Sequence, residues 1–558
     1  MSKRAATSPG SRGMHSEAGI ALVSVIGLTA VLTLVAVVSI SFTLSAQRFS
    51  RNHQDWNAAL GAAEAGIDDF LARLNRDRQY FERYESDLDG DGRNLNPAID
   101  RWAELPGTSA WYHYRVDDSE VLQAGTVTLT STGRVGDETR SIQVRIRPES
   151  FFDFIYLTDF EVVDPDISGR SGCENYFGSR PTECNEIRFA SADVLDGAVH
   201  SNDAIQIEGT PQFLDVVTTS YNPPSGGYVN FRDRFADPFF FRAGDPAHDV
   251  FKNFPPTNDQ VLVDAANHGC VYYGPTYIHL DGETMTVRSP LTDIQRPADA
   301  PPTTVECGNV GSALGGFVEN LEIPPVIYVE NATACAPFSN ANDDHPLGVD
   351  RQEESNTSLR YNCRFGDAFV WGELDTQLTI AARNNVSIIW DLIYQDGEWQ
   401  DGTNILGLVA DNFVQVRMPR TDDNTGDRGV ARRPPFPTTQ PTGTNTDDLW
   451  RDPTIHAAIL SVERSFRVQN HNAISPLGTL SVYGSISQKF RGPVGTGSAE
   501  SMTTGFAKDY RYDQRLRGVS PPFFLDPVRS RYVVRSWAEV RDAVGHPDGL
   551  PVFPNPEP

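Results

Sequence analysis

Charge is missing from one long stretch near the N-terminus. From Ala18 to Gln47 no residue is charged, and most of the run is Ile, Leu, Val and Ala. A bilayer core takes about 20 apolar residues in a helix, whereas the apolar part of a secretory signal takes only about 7–15. The run is long enough to span; a plain anchor or a buried core helix is the competing reading. Charge returns at Arg48, yet no proline follows until Pro97, and Trp56, Leu60, Ala63, Ile67, Phe70, Leu71 and Leu74 recur at helical spacing. The pattern predicts one helix over 20–78, apolar all round at first and amphipathic later. Small residues at 58, 59, 62, 63, 65 and 66 allow either close approach to neighbouring helices or a stalk packed on its own domain.

From Trp111 the period changes to two. Tyr112–Val116, Thr126–Val135 and Arg140–Arg147 alternate apolar with polar residues, with a Gly-Asp-Glu turn between the last two. They predict a small antiparallel sheet in a region spanning 79–150, ended by Pro148. Beyond it the texture shortens. Segments 196–213, 407–416, 455–470 and 477–486 show very short strands separated by Gly and Asn corners. Such strands suit a parallel β-helix over 151–490, although no strict repeat is visible, and a β-sandwich is the alternative. Pro-, Asp- and Thr-rich insertions around 220–260 and 420–450 are expected to be surface loops. The aromatic, Arg and Asp content of 491–558 predicts a cap over the last coil, frayed from Pro547. The fold class is α+β: a long N-terminal transmembrane helix, a small antiparallel sheet and a large, mainly-β domain.

Composition narrows the partners. The chain carries 47 Lys plus Arg against 74 Asp plus Glu, a formal charge of −27. Such a balance repels phosphate backbones, and no basic patch with interleaved aromatics offsets it, so no nucleic-acid partner is expected. The exception is local: Lys3, Arg4 and Arg12 precede the apolar run, against Glu17 alone. The positive-inside tendency keeps that end cytoplasmic and sends everything after Arg48 outward, giving a single-pass protein with membrane lipid around its span.

Cys173, Cys184, Cys270, Cys307, Cys335 and Cys363 all lie in the outward part. An even count there, with no CxxC pair to suggest zinc, predicts three disulfides. Fifteen pairings are possible, and proximity favours Cys173 with Cys184. Asp87, Asp89 and Asp91, with Gly92 at the sixth position, match the start of a calcium loop. The twelfth position is Ala98, not the bidentate Glu, so Ca2+ is the only cofactor considered, with an acidic solvated turn as the alternative. Asp100 and Glu85 are the candidates to complete a shell.

Catalysis has weaker support. His200-Ser201-Asn202-Asp203 contains hydrolase residue types, but adjacent residues on a strand point to opposite faces, and His200 reads as a corner residue. There is no nucleophile elbow, phosphate-binding Gly loop or HExxH. Asp193, Asp196 and Asp203 keep a calcium-dependent carboxylate cluster, as in polysaccharide lyases, as the enzyme alternative. The main reading is that the chain is not an enzyme.

Ser16-Glu17-Ala18-Gly19 leads directly into Ile20-Ala21-Leu22-Val23-Ser24-Val25, with no polar spacer and no small-residue cleavage box after the apolar run. In this the chain resembles a type IV prepilin. The resemblance implies a leader over 1–19, a cut after Gly19 by a prepilin peptidase, and Ile20 as a new, methylated N-terminus. At the fifth mature position major pilins carry Glu, and here Ser24 stands; a cut after Gly13 would put Glu17 fourth. That departure is similar to minor pilins of the PilX group, as is Ala62-Ala63-Glu64-Ala65 beyond the span. The C-terminal pattern resembles large actinobacterial pilus-assembly proteins with a PilX-type N-terminus. The partners implied are other pilin subunits and the pilus assembly machinery. The function implied is that of a minor-pilin or pseudopilin-like subunit displaying a large disulfide-bonded β domain at the cell surface. The alternative is a membrane-anchored adhesin or carbohydrate-active enzyme that never polymerises.

Overall fold

A computed structural model describes residues 18–77, 80, 96–100, 102–119, 126–191, 193–223, 229–231, 236–242, 246–292, 306–308, 310, 318–333, 359, 361–397, 402–418, 450–472, 475–498, 501–517, 519–525, 527 and 532–540. The helix predicted over 20–78 is α1, Ala18–Arg76, 59 residues in one piece. At about 1.5 Å per residue it is about 88 Å long. Its last third lies on an antiparallel sheet made of β1 (Ala103–Glu104), β2 (Ala110–Asp117), β3 (Val127–Val135) and β4 (Glu138–Pro148). The β3–β4 connection is a two-residue turn, Val135 facing Glu138, and Gly136 supplies the positive φ of 58° that such a turn needs. Ile142, Val144 and Ile146 bury the helix-facing side against Ile67, Phe70 and Leu74.

The rest is a column of parallel strands. In chain order one wall uses β5 (Tyr156–Phe160), then, past β6 (Val194–Asp196), β7 (Val199–Ser201), β8 (Val217–Thr219) and β9 (Ala247–His248). After helix α2 (Asp259–His268) the same wall takes β10 (Cys270–Tyr273), β11 (Val326–Glu330), β12 (Gln377–Ala382) and β13 (Ile405–Ala410). It then takes β14 (Thr454–Ser461) and β15 (Thr479–Phe490), followed by β16 (Ala507–Tyr512) on a second wall. Every pairing along the first wall is parallel, as in a β-helix and unlike the antiparallel sandwich weighed against it. Inward residues stack in register from rung to rung: Cys270, Ile327, Ile380, Leu408, Ile459, Ile486, Tyr156, Val199 and Val217. This ladder replaces a sequence repeat, because each rung needs only an apolar residue at the inward position.

Spatial order differs from chain order. The sequence of strands along the wall is β10-β11-β12-β13-β14-β15-β5-β7-β8-β9, so the C-terminal strand β15 lies against the N-terminal strand β5. The column is thus two stacked leaves, 151–248 and 270–512, with the chain entering and leaving at the seam between them. The described residues of 491–540 do not form a cap over the last coil, as the aromatic and charged content suggested; the stretch from Pro547 lies outside the described residues. β16 is itself a column strand, pairing with β15 and β6. A further strand, β17 (Tyr532–Val540), returns to the small sheet beside β4. The small sheet therefore does not end at 150; it gains its fifth strand from the far end of the chain, and the column is inserted between β4 and β17. The 220–260 insertion is likewise not simply a surface loop: it contributes Val229–Phe231, Phe239–Phe240 and β9 to the column. Of 420–450, only Trp450 is among the described residues.

Candidate functional site: the N-terminal helix and its seat

The first part of α1 is exposed and packs against nothing else among the described residues. Its 18-residue apolar window has a mean hydropathy of 2.5 with none of it buried. Leu22 through Phe49 expose their large apolar side chains, Phe49 to 77%. Leaving such a surface in water is costly at about 25 cal/mol per Å2, so lipid or other apolar helices must cover it. Its polar residues do not oppose that. Thr29, Thr33, Ser41, Thr43 and Ser45 each donate a hydroxyl hydrogen to a carbonyl three or four residues back in the same helix. These five hydroxyls are thus satisfied within the segment, as a bilayer demands.

The second part is clamped. Ala59, Ala62 and Ala63 are buried on the sheet, and Gly66 sits where an added Cβ would lie 2.3 Å from Ser131 Oγ. On the sheet side Gly133 passes so close that a Cβ would lie 2.0 Å from the Ala59 carbonyl oxygen. The small residues at 59, 62, 63 and 66 therefore serve the stalk's own domain, while Ala58 and Gly61 face outward. Polar bonds fix the same contact. Tyr114 donates its hydroxyl hydrogen to Asp69 Oδ2 at 3.0 Å, and Arg73 Nε donates to the same oxygen at 3.0 Å. Burial, with the Asp69 carboxylate beside it, pushes the Tyr114 phenol well above its usual range, so it stays a donor. Asn96 bonds to both Tyr80 and Tyr114, closing the network beneath the helix. At the helix end Asn75 bonds to the backbone of Tyr532 in β17. Arg140, from β4, stacks 4.9 Å from the Trp56 ring and forms paired 2.7 Å bonds with Glu539 of β17.

Gly19 and Ile20 are the second and third residues of α1, in its first turn. Asp87, Asp89 and Asp91 lie outside the described residues, and among those described no group of three His, Cys, Asp or Glu could hold a metal ion. Cys173 pairs with Cys184 and Cys270 with Cys307. Cys363 is also disulfide-bonded, and Cys335 lies outside the described residues. His200 is not a corner residue: it is fully buried in the middle of β7, because the corners fall at Gly197 and Asn202 on either side. Its Nδ1 is 2.8 Å from Thr218 Oγ1, and its Nε2 lies 3.2 Å from Asn202 Oδ1 and Ser220 Oγ. Burial, with Lys252 nearby, pushes its pKa down to about 3. The three carboxylates of the lyase alternative are spoken for or apart. Asp203 pairs with Arg180 at 2.6 Å, Asp193 with Lys508 at 3.0 Å, and Asp196 is exposed on the second wall. Sequence reasoning missed Asn75, Gly133 and the whole of β17. Only the Tyr, Val and Trp content of Tyr532–Val540 could have flagged that strand, and nothing local names its partner.

Comparison with family models matches residues 18–68 to the PilX N-terminal family. That span covers the exposed half of α1 and most of the clamped half. Comparison with curated proteins gives no match. Among solved structures the chain is similar to the competence-associated pilin ComZ from Thermus thermophilus, at 13% identity over 87% of this chain and 97% of that one. The TM-score of that likeness is 0.27.

Proposed function

We propose that this chain, PilX-like over its N-terminal helix, is a minor-pilin-like subunit of a type IV pilus or related filament. In this reading a prepilin peptidase cuts after Gly19, Ile20 becomes the new, methylated N-terminus, and residues 20–47 wait in the bilayer. Assembly then exchanges lipid for the helices of sister subunits, and the column is displayed outside the cell. The observation that carries the reading is the division of α1: an apolar half that nothing among the described residues covers, continuous with a half clamped to its own sheet. A plain signal anchor needs the first half only. The clamp is what lets the position of one helix among its neighbours fix the position of the outer domain. The work done is assembly, driven by covering apolar surface, and no bond-making step is assigned to the column.

N-terminal mass spectrometry of protein extracted from membranes tests it. A mature chain starting at methylated Ile20 is expected, and Gly19→Ala should leave the leader on and keep the protein out of filaments. A leader retained in cells with an active peptidase, with no copurification with filaments, would sink the proposal in favour of a surface anchor.

A further inference from the structure

The segment between the two leaves, residues 249–269, runs along the outside of the first wall. It leaves at β9, where Asp249 N donates to the Thr219 carbonyl, and passes β7, where Lys252 N donates to Asn202 Oδ1 at 2.9 Å. Phe254 packs on Phe151, just before β5, with ring centroids 4.8 Å apart. Asn258 N then donates to Asp411 Oδ1 beyond β13, Asn258 Nδ2 to the Ala382 carbonyl of β12, and Tyr328 of β11 donates to Asn258 Oδ1. Finally α2 lays Val261, Ala265 and Ala266 over Val326, Tyr328 and Val271. Ten strands at about 4.8 Å spacing make a wall about 43 Å tall. The segment, ten of whose residues are helical, reaches at most about 51 Å. It is a strap with little slack.

Beneath the strap lies the seam. Elsewhere on the first wall neighbouring strands belong to successive turns of the chain. At β15–β5 and β16–β6 they do not: Arg491 and Glu161, in contact at 2.8 Å, are 330 residues apart, and Lys508 and Asp193, at 3.0 Å, are 315 apart. Neither described disulfide crosses the seam, since Cys173–Cys184 lies in the first leaf and Cys270–Cys307 in the second. Ion pairs reinforce the seam beside its apolar step Ile486–Tyr156: Arg491–Glu161, Lys508–Asp193 and Arg464–Asp164 cross it, as Arg383 crosses other rungs to Glu330 and Asp411. Buried pairs set register strongly and contribute little net stability relative to apolar packing.

We infer that the column is a two-leaf latch: the leaves part at the seam as a unit, and the strap holds them shut. An ordinary solenoid frays from its tips, where the chain ends lie. Here both chain ends leave from the middle, so the weakest junction is internal and its opening would bare the edges of β5, β6, β15 and β16 together.

Hydrogen exchange read by mass spectrometry on the full chain in detergent tests this. Peptides covering β5, β6, β15 and β16 should lose protection in one correlated step, ahead of those covering β12 and β13. Phe254→Ala should speed that step about tenfold or more and leave β12 and β13 unchanged. Val194 and Asp509 are register partners across the seam; the double variant Val194→Cys/Asp509→Cys, oxidised, should abolish the step. The inference is overturned if exchange advances inward from β9 and β10, if Phe254→Ala acts equally on all strands, or if the crosslink changes nothing.

Discussion

Asn75 binds the backbone of Tyr532 at both groups: its Oδ1 accepts the amide hydrogen at 2.6 Å and its Nδ2 donates to the carbonyl oxygen at 3.1 Å. A side chain at the end of α1 thereby plays the part of a neighbouring strand for the first residue of β17. The two residues lie 457 positions apart, so this pair joins the membrane helix to the last leg of the chain.

Replacing Asn75 with Ala should therefore loosen β17 before anything else. Two partly buried backbone groups would lose partners, at a cost of about 1–3 kcal/mol. Amide exchange and protease sensitivity across 532–540 should rise, while β2 and β3 keep their protection. Asn75→Asp, which keeps the acceptor and loses the donor, should fall between the two.

Gly133 and Gly61 should respond in opposite ways to the same added methyl group. At Gly133 a Cβ meets the Ala59 carbonyl and the Ala63 amide, so Gly133→Ala should push the helix off the sheet and cost at least about 1–3 kcal/mol. At Gly61 nothing lies within 4 Å, and Gly61→Ala should stabilise the helix by up to about 1 kcal/mol. Thermal unfolding of the detergent-solubilised chain reads both.

The pH dependence of the column carries opposing contributions. His456 accepts the Tyr394 amide hydrogen at Nδ1, and burial, with Arg515 nearby, pushes its pKa down to about 4. With His200 at about 3, both rings are neutral in the fold. Their contribution is complete above the unfolded value near 6.5 and is lost as pH falls toward 3–4. Asp367 runs the other way: burial raises it to about 7, above its unfolded value near 3.8. Its contribution is complete below 3.8 and is lost as pH rises through about 7. Denaturant unfolding at a series of pH values should show Asp367→Asn gaining on the parent by up to about 1.4 kcal/mol per pH unit between those limits, then levelling off. His456→Asn should remove one proton's worth of slope on the acid side.

The seam pair Arg491–Glu161 should be asymmetric under mutation. Arg491→Met leaves the fully buried Glu161 carboxylate facing Thr158 without its cation, at a cost of about 3–5 kcal/mol. Adding Glu161→Leu removes the stranded charge, and the double variant should recover most of that loss. Equilibrium unfolding of the single and double variants decides it.

What the sequence made legible was what repeats locally. Trp56 to Leu74 announce a helix at period 3.6, and Trp111 to Arg147 announce strands at period two, so α1 and β2–β4 appear almost where they were expected. The column was legible as texture: short apolar runs between Gly and Asn. What stayed hidden was pairing between distant segments. Tyr532–Val540 is rich enough in Val, Tyr and Trp for a strand, yet nothing in it points to Pro148, and nothing in Tyr156 points to Ile486. The two readings of the small residues in α1 divided for the same reason: Ala59 and Ala63 face Gly133, a residue on another element. His200 was misplaced by a local ambiguity, since in a strand of three residues one position separates corner from centre.

Pro148 and Tyr532 face each other across the last pair of strands in the small sheet. Seen from the membrane half, everything between them is the loop of a hairpin. The sheet meets the same two backbone ends whether that loop is a tight turn or an entire folded cargo, so the column can grow, shrink or be exchanged in evolution while the helix and its seat keep their geometry.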